Sequence, residues 1–83
     1  MPTVLRIDGY EIVIYLNDHL PHHVHVVAHG CEAIVELSCP DDIVHVRKNR
    51  NFKSQELKKV VRLVQSHQAE LCANWKEVHN DLD

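Results

Sequence analysis

Asn17-Asp18-His19-Leu20-Pro21-His22-His23-Val24-His25-Val26 decides the fold, because a loop gives way to a strand inside it. Proline fixes its own φ and pushes the preceding residue away from helical geometry, so Leu20-Pro21 reads as loop. From His23 onward the chain alternates. His23, His25, Val27 and His29 fall on one face, and Val24, Val26 and Ala28 on the other. A period of two is the mark of a half-buried strand. Residues two apart on a strand share a face at about 6.5–7 Å. Imidazoles so spaced can converge on one metal ion, phosphate or carboxylate, and histidine is the commonest metal ligand. His19, His23 and His25 are therefore the candidate catalytic residues, with Asp18 and Glu36 as orienting carboxylates. His23, His25, His19 and Asp18 are also the candidate ligands of a zinc-like divalent metal.

Upstream, Thr3–Ile7 and Tyr10–Leu16 flank Asp8-Gly9. A two-residue type I′ turn needs positive φ at both positions, which makes Asp-Gly a strong hairpin signal. The register it implies pairs Ile7 with Tyr10, Leu5 with Ile12 and Thr3 with Ile14, and sets Arg6 against Glu11. Downstream, His29-Gly30 is a second tight turn, leading into Cys31–Leu37. It puts Val26 opposite Ala33 and Val24 opposite Val35 in the core, with His25 opposite Ile34 and His23 opposite Glu36 outside. Ser38–Asp42 reads as loop and Ile43–Lys48 as a last short strand.

Ser54 is the expected N-cap of a helix, with Glu56 in its first turn. Leu57, Val60, Val61, Val64, Leu71, Trp75 and Val78 then recur at helical spacing, with no Gly or Pro before Asn80. One helix of that length spans about 39 Å. Its last turns either overhang a small sheet or break near Ser66–Gln68, and the pattern favours one helix. The predicted fold is α+β in one domain, residues 1–83. A four- or five-stranded antiparallel β-meander over about 3–48 packs against one long C-terminal helix over about 54–80. Leu5, Ile7, Ile12, Ile14, Val24, Val26, Ala33, Val35, Val44 and Val46 would meet Leu57, Val61, Val64 and Leu71 in the core.

Eighty-three residues suffice for one small core. No apolar run approaches the roughly 20 residues of a membrane helix, and Arg6, Asp8 and Glu11 interrupt the only candidate leader. Cys31, Cys39 and Cys72 are odd in number and form no C-x-x-C, so they read as small apolar residues of a cytoplasmic protein. Net charge is −3, unevenly spread: one base stands against seven acids in residues 1–42, and eight bases against five acids in 43–83. Arg47, Lys48, Arg50, Lys53, Lys58, Lys59 and Arg62 form a basic block that would suit RNA phosphates. Phe52 is its only aromatic, too few for a stacking platform.

Pro2-Thr3-Val4-Leu5-Arg6-Ile7-Asp8-Gly9-Tyr10 and Asp18-His19-Leu20-Pro21-His22-His23-Val24-His25-Val26 carry a resemblance. The chain resembles a widespread family of small prokaryotic proteins known only as a domain of unknown function. Its members typically start P-T-[VI]-x-R-x-x-G-[YF], carry D-H-x-P-P-H-V-H-V and end in a helix with a late tryptophan, here Trp75. His22 departs from the pattern, standing where most relatives have a second proline. Genes of that family often sit beside a second small uncharacterised family, in an arrangement proposed to be a toxin–antitoxin pair. The resemblance implies a cognate small protein partner and no established activity.

Three functions follow as expectations. One is partner binding through the histidine-rich surface, with Trp75, Val78, Ile34 and Val13 as interface residues and a homodimer as a further arrangement. Another is a small hydrolase or ribonuclease, with or without metal, using His19, His23 and His25. The third is nucleic-acid binding through residues 47–62.

Overall fold

The computed structural model describes residues 3–15, 21–38 and 44–78, with side chains from Leu5 onward. Five strands, β1 (Thr3–Ile7), β2 (Tyr10–Ile14), β3 (His23–Ala28), β4 (Cys31–Leu37) and β5 (Val44–Arg50), are followed by helices α1 (Ser54–Ser66) and α2 (Gln68–Val78). The strands form one antiparallel sheet in the order β1-β2-β3-β4-β5.

Both tight turns form as their residues require. Asp8 and Gly9 have φ of 53° and 84°, His29 and Gly30 of 36° and 80°. Glycine takes the left-handed region without penalty and Asp or His with a modest one. The registers match the sequence pattern, with Leu5 opposite Ile12 and Arg6 opposite Glu11 in the first hairpin. Val24 lies opposite Val35, and His25 opposite Ile34, in the second. The period of two then sorts the sheet. Ile12, Ile14, Val24, Val26, Ala28, Ala33, Val35 and Leu37 turn to the helices and are buried. Each large aliphatic among them contributes roughly 1.5–3 kcal/mol by leaving water.

The last strand ends later than its sequence pattern suggests. It runs Val44–Arg50, and its register against β4 slips between Ile34 and Val35. Ile43 lies outside the described residues. Beyond β5, the Asn49 amide donates to the Phe52 carbonyl at 2.9 Å and accepts from the Phe52 N–H at 3.2 Å. That clamp turns the chain and drives Phe52 into the core. As a result the helix cap is Lys53, whose carbonyl accepts the Leu57 N–H at 2.8 Å with no side-chain capping bond. Ser54, expected as the cap, is instead the first helical residue.

One long helix is not what forms; α1 and α2 are separated at His67. The Ser66 hydroxyl donates to the Arg62 carbonyl at 2.8 Å, and His67 Nδ1–H donates to the Leu63 carbonyl at 2.9 Å. The His67 N–H turns to the Val64 carbonyl at 3.1 Å, a tighter i−3 closure. The Gln68 amide then donates to the Ser38 carbonyl at the end of β4, 3.0 Å away. These bonds redirect the chain, so that Leu71 and Trp75 are buried in the common core. An overhanging helix would have left them in water.

The core differs from the expected one in its helical half. Val60 and Val64 are the fully buried residues of α1. Val61 is half-buried beside Val46, along a groove with Leu57. The apolar stripe Leu57-Val60-Val61-Val64 is wide enough to roll either way on the sheet, so its spacing does not choose between Val60 and Val61. Cys72 is held in a disulfide while Cys31 is free, so the reading of all cysteines as small apolar residues does not stand. Cys39 lies outside the described residues. No described helix is long and apolar enough to cross a membrane.

Candidate functional site

The face of the sheet away from the helices carries the histidines. On β3, His23 is 5 % exposed, and Val13 on β2 is 7 % exposed on the same face. The rings of His23 and His25 meet edge-on with centroids 5.3 Å apart, and Tyr15 packs edge-on against His25 at 4.8 Å. Strand alternation delivers both imidazoles, and the β3–β4 hairpin delivers their neighbours Glu32, Ile34 and Glu36.

Each imidazole is oriented by a hydrogen bond from Nδ1. His23 Nδ1–H donates to the Pro21 carbonyl at 2.9 Å, because a carbonyl can only accept. His25 Nδ1–H donates to the Glu32 carboxylate at 3.0 Å. Both bonds select one neutral tautomer and place the ring lone pair on Nε2. A carbonyl or a carboxylate behind Nδ1 is also the usual support of a histidine that binds metal or moves protons.

The register sets Glu36 beside His23, yet the carboxylate that meets an imidazole Nδ1 is Glu32, on His25. Glu36 stands opposite His23, but its carboxylate accepts from Arg47 Nε at 2.7 Å. That bond holds the Glu36 carboxyl below the usual carboxylate range, against the opposing effect of burial, with the nearby His45 and His23 adding to the lowering. Glu32, diagonal to His25 across the hairpin, takes the orienting role. Direct cross-strand pairing does not point to it, whereas diagonal neighbours lie within reach of long side chains.

His19 and Asp18 lie outside the described residues. Among the described residues no group of three His, Cys, Asp or Glu side chains could hold a metal ion. His22 is structural in its described contact: its ring packs at a tilt against Trp75 with centroids 4.3 Å apart. Trp75 itself is 2 % exposed, so it belongs to the core and not to a contact surface as its late position suggested. Val78 is partly buried against that core, Ile34 is half-buried on the histidine face and Val13 is buried there.

The basic block is divided. Arg47 is engaged by Glu36, and Lys48 and Arg50 pair with Ile34 and Glu32 along the β5 edge. Lys58, Lys59 and Arg62 stand exposed on α1, on the helix side of the sheet, and Lys53 precedes it. A slipped β5 register and the turn at Phe52 separate residues that are close in sequence.

A second polar centre had no sequence signal. Glu56, in the first turn of α1, accepts from the Tyr10 hydroxyl at 2.9 Å and from His29 Nε2 at about 3 Å. The His29 bond, with help from Tyr10, holds its carboxyl below the ordinary range although burial opposes this. Burial, followed by the Glu56 bond, pushes the Tyr10 phenol up.

The comparisons with known proteins add one result. No curated protein and no solved structure matches the chain. A family described as Domain of unknown function (DUF4160) matches residues 9–76, a span holding the histidine segment, the sheet from β2 onward and Trp75. With most of its length inside that match, the chain belongs to the DUF4160 family.

Proposed function

We propose that the chain is one component of a two-protein pair of the toxin–antitoxin kind, and that it meets its partner through the outer sheet face around His25. The supporting observation is Tyr15. It is the one exposed large hydrophobic residue among the described residues, 39 % exposed, and it packs edge-on against His25 on a face that also carries Val13 and Ile34. A tyrosine with one apolar side and one polar tip is a common interface anchor. The test is co-expression with a candidate small protein partner, followed by calorimetry of the purified pair. Tyr15→Ala and Ile34→Asp should each weaken the complex at least about tenfold. Unchanged affinity in both variants would remove this face from the interface.

A second reading is acid–base chemistry at His23 and His25, favoured by the two Nδ1 bonds that fix the neighbouring rings, although His25 Nε2 is buried and this face would have to open to a substrate. One imidazole would take a proton from the attacking hydroxyl while the other, protonated, gives one to the leaving oxygen. Such pairs contribute about 10²–10⁴-fold each way. Single-stranded RNA is the substrate to try first. Cleavage by the native chain that survives in His23→Ala and His25→Ala would rule this reading out.

A further inference from the structure

On the helix side of the sheet, a cleft of about 520 Å³ lies between the β1–β2 turn and α1. Asp8 and Tyr10 form one wall; Lys59, Arg62, Ser66 and His67 form the other, with Leu63 completing it. Residues three and four apart share one side of a helix, so α1 presents Lys59, Arg62 and Ser66 as a row. Lys59 and Arg62 make no ion pair with the described residues. Glu56, the nearest acid on α1, is already engaged by Tyr10 and His29. The polar groups of the cleft are thus split by kind. Lys59 and Arg62 can only donate. Asp8 accepts, and His67 accepts through Nε2, because its Nδ1–H is spent on the Leu63 carbonyl.

We infer that this cleft binds a small hydroxyl-bearing phosphomonoester, its phosphate on Lys59 and Arg62 and its hydroxyls on Asp8 and His67. Two cations in a row suit a dianionic phosphate, and the arginine fork can engage two of its oxygens at once. The acceptors, Asp8 on the facing wall and His67 beyond Ser66 on the α1 side, disfavour a bare polyanion but match sugar hydroxyls. The volume also argues for an organic ester. It lies within the roughly 300–1,000 Å³ of small-molecule sites and is far larger than inorganic phosphate needs. Leu63 and the Tyr10 ring supply apolar surface for the carbon skeleton. This site is independent of the histidine face on the other side of the sheet, and either can fail without the other.

The experiment is an NMR titration of the ¹⁵N-labelled full chain, with ribose 5-phosphate as probe and inorganic phosphate as the comparison. Saturable shifts confined to Asp8, Tyr10, Lys59, Arg62, Ser66 and His67 are expected, with a Kd at or below about 1 mM. Inorganic phosphate should bind the same residues several-fold more weakly. Lys59→Gln with Arg62→Gln should weaken ribose 5-phosphate binding at least tenfold. Both residues are exposed, so the variant should keep the native melting curve. Asp8→Asn should narrow the difference between ester and bare ion. Shifts that do not saturate, that spread over all surface cations, or that persist in the double variant would overturn the assignment. Equal binding of the two probes would overturn it as well, reducing the cleft to a simple anion contact.

Discussion

Glu56 shows how one side chain can tie three pieces of chain together. It sits in the first turn of α1, where a negative charge is favoured by the helix dipole, and it receives Tyr10 from β2 and His29 from the β3–β4 turn. Its carboxyl is held below the ordinary range, so the native state favours the charged form more than the unfolded chain does. The stability this brings is present at neutral pH and is lost as pH falls through the folded value. Glu56→Gln should therefore lower the thermal midpoint at pH 7, with the gap to the native chain closing in acid. A gap independent of pH would mean that the charge is not what matters there. Nothing local to Glu56 announces this role, because its partners are 46 and 27 residues away in sequence. His25 is a middle case. Its face follows from alternation, but its Glu32 partner lies diagonally across the hairpin, while Glu36, opposite His23, is engaged by Arg47 from β5.

At the scale of the element, hairpins were legible and the helical half was not. Asp8-Gly9 and His29-Gly30 fix their registers through backbone angles that few residue pairs tolerate, so the information is local. The break at His67 has no such mark. It depends on Gln68, 3 % exposed, whose Nε2 donates to the Ser38 carbonyl and whose Oε1 has no hydrogen-bond partner among the described residues. Gln68→Ala should cost about 1–3 kcal/mol, by leaving the Ser38 carbonyl unpaired and opening space. Gln68→Met keeps the volume and removes the unpartnered oxygen, so it should cost less. Chemical denaturation of the two variants orders them. If alanine is the milder change, the Ser38 bond does not anchor α2.

For the molecule as a whole, a single core joins one sheet face to both helices, and Trp75 closes it from the far end of the chain. Trp75→Ala should cost about 3–5 kcal/mol. At roughly 0.05–0.15 kcal/mol per residue, 83 residues hold about 4–12 kcal/mol in all. The variant should therefore lose a quarter or more of that stability and melt well below the native chain, as read by far-UV circular dichroism, and a native melting curve would contradict the closure. Every strand pairs with its neighbour in sequence, so the whole sheet is assembled by short loop closures. Topology of this kind lowers contact order and favours rapid folding. During synthesis β1 to β5 leave the ribosome before α1 and α2, which pack over the core face that holds Val24, Val26 and Val35. For the time needed to make residues 54–78, the nascent sheet shows water its most apolar surface, and that interval is when a chaperone or a neighbouring chain has its chance to bind it.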